Sequence, residues 1–215
     1  FDKMRSRILR HLNQRSEMLS GISHDLRTPL TRIKLQLAMI KDKNLSKKLS
    51  DDVDEMEKML NEYLQFARTD AKDKTEIFDL SELTENIISK YENSDISKDF
   101  NKKIYFNGRK NLIQRCISNL IDNSIKYGKK TEIIIEKKIS NIAISIEDDG
   151  PGIPKSEYEN VIKPFYKIDK SRSESKSSVG LGLAISSDII KSHGGDINFS
   201  KSKLGGLKVM ISLPV

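Results

Sequence analysis

The chain has 215 residues, 36% of them hydrophobic and 32% charged, with a formal net charge of +7; that is room for one large domain or two small ones. No apolar run reaches the roughly eighteen residues of a membrane span, and the single Cys116 excludes an internal disulfide and fits a reducing compartment. One Cys and three scattered His offer no structural zinc set, and lysines spread along the whole chain with few interleaved aromatics fit a general lysine bias rather than a nucleic-acid surface. No secretory signal opens the chain, and a start at Phe1 leads us to expect a segment of a longer protein.

The first seventy or so residues read as two long helices. In the first, from about Asp2 to Ile40, Met4, Ile8, Leu12, Leu19, Ile22, Leu26, Leu30, Ile33, Leu37 and Ile40 recur mostly at spacings of three and four and predict a buried stripe. Pro29 inside it should bend it. His24 falls off the stripe, with Asp25 adjacent and Thr28 one turn on along the same face. An exposed imidazole beside a carboxylate and a hydroxyl is arranged for chemistry; a solvated polar face fits these residues equally well. Lys41 to Leu45 is a polar connection, and Ser46 to Thr69 a second helix with Leu49, Val53, Met56, Leu60, Tyr63, Leu64 and Ala67 on one side. Such a hairpin has little to pack against, so two copies should pair into a four-helix bundle, making a homodimer.

The charged stretch Asp70 to Glu76 marks a domain boundary. Asp79-Leu80-Ser81-Glu82 resembles a capping box opening a helix to about Tyr91. A strand at Lys103 to Asn107 and a helix at Lys110 to Tyr127 follow, the latter with Ile113, Cys116, Ile117, Leu120 and Ile121 inward. Glu132 to Lys138 and Ile142 to Asp148 read as a hairpin, Gly182 to His193 as a helix, and Asp196 to Ser200 with Leu207 to Leu213 as a last hairpin around Gly205-Gly206. The result is an α+β layer, a mixed or antiparallel sheet with helices on one face. Lys155 to Val179 is long and polar, ending in a serine-rich run too polar to pack; such a loop is disordered or a functional lid.

Three motifs on this half carry chemistry. Asn119 and Asn123 stand one turn apart on a face shared with Lys126 and Tyr127. Neutral amide oxygens suit a hard cation such as Mg2+ that shares phosphate oxygens, and Lys126 adds a compact charge for phosphate; a solvated face fits the same residues. Asp148-Asp149-Gly150-Pro151-Gly152 closes an apolar strand. Its glycines admit a ligand close to the backbone, and its carboxylate can accept from the exocyclic amine of adenine; an ordinary tight turn also fits. Gly180-Leu181-Gly182-Leu183 opens a helix whose N-terminal N–H groups and dipole suit phosphate. The order of the three, with a polar lid between the last two, gives each piece a different part of nucleotide binding.

On these motifs the chain resembles, over nearly its whole length, the cytoplasmic catalytic core of sensor histidine kinases of two-component signalling, nearest the EnvZ type. His24-Asp25-Leu26-Arg27-Thr28-Pro29-Leu30 matches the family's H box, Asn119 to Tyr127 the N box, Asp148 to Gly152 and Gly180 to Leu183 the two glycine boxes, and Pro164-Phe165-Tyr166 the F box. The resemblance implies an α+β multidomain chain. Residues 1–72 would form a helical hairpin for dimerisation and phosphotransfer, and 77–215 an α/β sandwich binding ATP, with a lid at about 155–179. It implies ATP and Mg2+ as cofactors, the metal held by Asn123 with Asn119 assisting. Lys126 and Tyr127 would contact the phosphates and Asp148 would read adenine. Gly150, Gly152, Ile153, Phe165, Gly180, Leu181, Gly182 and Leu183 would complete the ATP site. His24, neutral in good part near pH 7 given an ordinary pKa of about 6.5, would attack the γ-phosphate, with Asp25 orienting its ring. The phosphoryl group would pass to an aspartate on a response regulator, and Thr28 would align water to dephosphorylate that partner. Membrane contact would come only through a preceding region, making this the cytoplasmic segment of an inner-membrane sensor.

His11 and His193 lack the H-box pattern and rank below His24 as acceptors. Three positions depart from the family pattern: Ile162 replaces the first Phe of the F box, Lys167 a frequent Arg, and Ser178 the opening Gly of the second glycine box. Those at Ile162 and Ser178 are the only support for an alternative, an ATP-binding regulatory scaffold or phosphatase-dominated sensor with weak kinase activity. The H box and the hairpin argue against a nucleic-acid-associated ATPase on the same fold.

Overall fold

The structure, a computed structural model, describes residues 26–40, 42–67, 74–100, 102–168 and 180–215, and side chains within the second of these spans only as far as Asn61. The chain divides into two compact units, with the break after Lys72.

In the first unit, residues 26–37 form helix α1 and Lys43–Ala67 form α2. The expected first helix therefore stops short of Ile40, and the second starts before Ser46. The reason is local capping. Asp42 accepts from the N–H groups of Asn44 and Leu45 at 3.0 and 3.1 Å and so opens α2. Ser46 Oγ donates to the Leu37 carbonyl at 2.6 Å and so closes α1. The predicted stripe is only half buried: Leu30, Leu37 and Val53 cluster with Leu60 beside them, whereas Leu26, Ile33, Leu49 and Met56 stay exposed. Lys34 pairs across the hairpin with Asp54 and Glu57, both at 2.5 Å. Leu19 and Ile22, and the backbone position against which Pro29 would press, lie outside the described residues. Among the described residues no helix is long and apolar enough to cross a membrane.

The second unit begins with two elements not expected from the sequence, the strand β1 (Glu76–Asp79) and, later, β2 (Asp95–Asp99). Between them lies helix α3 (Leu80–Ile88), shorter than expected, whose cap Asp79 accepts from the N–H groups of Ser81 and Glu82. Strand β3 (Tyr105–Gly108) pairs antiparallel with β1 in a small ribbon, Phe78 opposite Phe106. Helix α4 (Lys110–Tyr127) has the predicted bounds. Strands β4 (Lys130–Lys137) and β5 (Asn141–Asp148), helix α5 (Gly182–Ser192) and strands β6 (Asp196–Lys201) and β7 (Leu207–Pro214) complete the unit.

The main sheet has the order β2-β4-β5-β7-β6. Only β2 runs parallel to its neighbour; the other pairs are antiparallel, so the sheet is mixed. Ile133, Ile142, Ile144, Ile146 and Ile211 are fully buried, as are Ile113, Ile117, Leu120 and Ile121 of α4 and Leu181 and Ile190 of α5. Helices α4 and α5 thus cover one face of the sheet, with α3 beside α4 against the β1–β3 ribbon, the sandwich that alternation along β4 and β7 dictates.

Candidate functional site

Two contacts fix how α4 lies on α5. Arg109, at the start of α4, donates through its guanidinium to Ser192 at the end of α5. Midway, Cys116 Sγ lies 3.9 Å from the Ser186 carbonyl. The helices are therefore antiparallel, and continuing that register brings Asn119 level with Leu183. The second half of α4 and the N-terminus of α5 meet at one end of the unit. Cys116 is fully buried and its thiol is pushed up to about 12 by that burial, so it packs the helix pair and is no nucleophile.

The second half of α4 buries Leu120 and Ile121 and leaves Asn119, Asn123 and Lys126 half-buried, with Tyr127 more exposed. Lys126 Nζ sits 5.2 Å from the centre of the Tyr127 ring. Asn119 Nδ2 is buried and makes no hydrogen bond. A buried amide without a partner is costly, and a ligand with acceptor oxygens would relieve it.

Asp148 ends β5 with its side chain buried on the helix side of the sheet. Its Oδ1 accepts from the N–H of Gly150 at 2.8 Å and of Leu207 at 3.0 Å, and its carbonyl accepts from Gly206 N–H at 3.1 Å. Burial pushes its pKa up, those two N–H bonds oppose the shift, and the neighbouring charge of Asp149 adds to it. Asp149 turns the other way: its Oδ1 accepts from the N–H groups of Lys129 and Lys130 at 2.6 and 2.9 Å. That pair ties the loop after α4 to the glycine turn, and a Cβ on Gly150 would come within 2.8 Å of the Tyr127 carbonyl oxygen. The structure thus brings Tyr127, Asp148 and Gly150 together. Gly152, with φ of 71°, lies against Gly206, and Ile153 is half-buried beside it.

The expected lid divides in two. Residues 155–168 are anchored rather than loose. Lys155–Glu157 form a short 3-10 turn, Val161 is buried, and the ring of Tyr158 lies 5.8 Å from that of Phe199. Tyr166 donates to Glu157 at 2.5 Å, which holds the Glu157 carboxyl below its usual range. Phe165 takes a left-handed backbone, φ 65°, and its N–H donates to the Gly180 carbonyl at 3.0 Å. That bond joins the two stems of the segment. Residues 169–179, including the serine-rich run and Ser178, lie outside the described residues. Of the other departures, Ile162 is half-buried and Lys167 exposed.

At the α5 N-terminus, Gly180 has φ of 78° and a Cβ there would press on the Tyr166 carbonyl at 2.9 Å. Gly182 differs: nothing lies within 4 Å of where its Cβ would stand. Packing does not require glycine there, and the open space beside unused helix N–H groups fits a phosphate. The side chain of Leu181 is fully buried in the core, so any ligand contact it makes runs through its backbone; Leu183 is half-buried. Open space, N–H groups, a buried amide and a buried carboxylate together match phosphate at one end of a ligand and a base with an amine at the other.

His24 and Asp25 lie outside the described residues; Thr28 is exposed on α1. His193 Nδ1 donates to the Ile189 carbonyl at 2.7 Å, which leaves Nε2 to accept from Arg109 N–H at 3.1 Å. Both nitrogens are engaged, which removes it as a rival acceptor. Sequence reasoning missed the supporting residues Glu147, Asp149, Gly206 and His193. The run of three acids Glu147-Asp148-Asp149 and the doubled glycine after Leu204 were the available signals.

Two family profiles match the chain: "Histidine kinase-, DNA gyrase B-, and HSP90-like ATPase" over residues 108–215, and "His Kinase A (phospho-acceptor) domain" over residues 14–72. The sensor histidine kinase GtrS of Pseudomonas aeruginosa is 34% identical over 216 residues, all of this chain and 45% of that protein. The sensor histidine kinase CpxA of Escherichia coli K12 is 28% identical over 231 residues, all of this chain and 50% of that protein. The chain spans about half the length of the curated relatives it matches. Among solved structures, full-length ShkA in complex with AMPPNP superposes with a TM-score of 0.72 at 18% identity, over 93% of this chain and 46% of that one. The catalytic domain of the histidine kinase ThkA does so with 0.57 at 23% identity, over 66% of this chain and 95% of that one.

Proposed function

Since this chain belongs to the sensor histidine kinases, with a phospho-acceptor segment ahead of a histidine kinase-, DNA gyrase B- and HSP90-like ATPase domain, we propose that it autophosphorylates on His24 from ATP and passes the phosphoryl group to an aspartate of a response regulator. Residues 1–72 serve dimerisation and phosphotransfer, and 77–215 bind ATP under a lid at about 155–179. The observation that carries the ATP half is Asp148. Both backbone N–H bonds fall on its Oδ1, which leaves Oδ2 to take the amine of adenine. Gly152 and Ile153 flank the base. Phosphates run toward Lys126, Tyr127 and the N–H groups of Gly182 and Leu183, with Phe165 and Gly180 forming the stem of the lid.

Asn123, with Asn119 assisting, would hold Mg2+, which when bound offsets phosphate charge. A neutral His24 nitrogen attacks the γ-phosphorus; an N–P bond forms, the bond to the β,γ-bridging oxygen breaks, ADP leaves, and Asp25 takes the ring proton. Thr28, one turn along, aligns a water for dephosphorylation of the regulator. The apolar side chains left exposed on the hairpin, Leu26, Ile33 and Met56, favour a homodimer that buries them in a four-helix bundle. The segment works on the cytoplasmic side of a membrane sensor.

Incubation with γ-labelled ATP and Mg2+, followed by a receiver domain from the same genome, tests the reading. Label that moves from this chain to the receiver supports it. A chain that binds ATP but never passes label on contradicts the phosphotransfer half.

A further inference from the structure

Glu147 is 1% exposed, although it projects from β5 on the face away from the helices. What covers it is the β6–β7 turn. Glu147 Oε2 accepts from Ser202 Oγ at 3.1 Å and from Lys203 N–H at 3.1 Å; Oε1 accepts from Ser145 Oγ at 3.3 Å and pairs with Lys208 Nζ at 2.9 Å. Lys208 is its register partner on β7, and Lys203 in turn reaches Glu132 on β4 at 2.8 Å. A carboxylate this buried is retained only when its oxygens are satisfied, and here all four partners are in place. Three of them belong to one segment, 202–208.

The far end of that segment is the wall against Asp148. Gly206 N–H and Leu207 N–H donate to the Asp148 carbonyl and Oδ1. The fit leaves no slack, since a Cβ on Gly206 would lie 2.2 Å from Asp148 Oδ1 and 2.4 Å from Gly150 N. Ser202 N–H closes the turn on the Gly206 carbonyl at 2.9 Å. Adjacent residues of one strand therefore hold the same turn from opposite faces of the sheet, Glu147 at its start and Asp148 at its end.

We propose that Glu147 is a positioning residue for base recognition: by pinning Ser202 and Lys203 it sets where Gly206 and Leu207 press on Asp148, and so where Asp148 Oδ2 is aimed. This rests on the reading that Asp148 takes the amine of adenine. Glu147 touches no nucleotide. Its effect is on discrimination between bases, because the turn bears on the base-reading carboxylate and not on the helix N-terminus that meets the phosphates.

The test is the affinity of the whole chain for ATP and for inosine triphosphate, which carries a carbonyl in place of the amine. Four proteins are compared: wild type, Asp148→Asn, Glu147→Gln and Ser202→Ala. Asp148→Asn keeps an oxygen for the two backbone N–H groups and turns an NH2 toward the base, so it should erase the preference for ATP. Glu147→Gln should cut the ATP-to-inosine ratio at least threefold with inosine triphosphate affinity held within twofold, and Ser202→Ala should move it the same way by less. Should Glu147→Gln fail to fold, Ser202→Ala alone decides by the same criterion. A wild-type ratio in the folded variants, or equal weakening of both nucleotides, would overturn the proposal while Asp148→Asn still loses its preference. A normal ratio in Asp148→Asn would instead overturn the reading of Asp148 itself, and the proposal with it.

Discussion

The backbone N–H of Arg109 donates to Nε2 of His193 at 3.1 Å, locking the start of α4 to the end of α5. Nδ1 already donates to the Ile189 carbonyl, so the ring is the neutral Nδ1–H tautomer. Protonation would place a donor against the Arg109 N–H. Burial lowers the pKa of His193, the bond to Ile189 opposes this, and the Arg109 charge adds to it. A His held below its unfolded value of about 6.5 takes up more protons when unfolded, so stability is full above that pH and falls as pH drops toward the folded pKa. Wild-type melting temperature should therefore decline between pH 7.5 and pH 5.5 more steeply than that of His193→Gln. Parallel curves would mean that His193 does not titrate in this window.

Gly180 and Gly182 separate conformational need from ligand access. Gly180→Ala places a side chain at φ of 78° and 2.9 Å from the Tyr166 carbonyl, strain of about 1–3 kcal/mol. It should lower the melting temperature and detach the Phe165 stem. Gly182→Ala meets no protein atom within 4 Å and replaces a poor helix former with the best one. It should melt at or above the wild-type temperature yet bind ATP about tenfold more weakly, a loss of about 1.4 kcal/mol. Thermal melts beside nucleotide titrations check both; full ATP affinity in Gly182→Ala would remove phosphate from that corner.

Gly206→Ala is the severe case. Its Cβ would lie 2.2 Å from Asp148 Oδ1 and 2.4 Å from the backbone N of Gly150, and no rotamer relieves the latter. Overpacking of this kind typically costs about 1–3 kcal/mol, and the turn must lift from Asp148. ATP binding should fall at least tenfold. Gly205→Ala, with φ of 111° but nothing within 4 Å, should lose stability and keep its ATP preference. Calorimetric titration of the two variants checks the contrast.

The hairpin leaves Leu26, Ile33 and Met56 in water while Leu30, Leu37 and Val53 form a thin cluster. Ile33→Glu with Met56→Glu should shift the chain from dimer to monomer in light scattering behind size exclusion, with ATP binding unchanged. A monomeric wild type would contradict the bundle.

Legibility of the sequence followed local physics. Helix α4 was readable to the residue because Ile113, Ile117, Leu120 and Ile121 repeat at helical spacing with a glycine beyond Tyr127. Strands β1 and β2 were hidden, β2 because Asp95, Ser97, Lys98 and Asp99 stand exposed on an edge and only pairing with β4 makes them a strand. The α2 start is hidden because Asp42 reads as part of a polar connection, whereas its carboxylate caps the helix. In the candidate site, residue type and order are enough to single out Asn119, Asp148 and Gly182 as candidates. Glu147 and His193 are not among them, since their contacts to Ser202 and Arg109 span 55 and 84 residues.

The most direct measurement is acid-labile, alkali-stable label on the chain after incubation with γ-labelled ATP and Mg2+, with His24→Ala and Asn123→Ala beside wild type. Labelled wild type, with at least a hundredfold less label in both variants and ATP binding retained in His24→Ala, is the expected result. Undiminished label in His24→Ala, or a wild type that binds ATP and takes no label, would contradict the assignment of His24 as the phosphoryl acceptor.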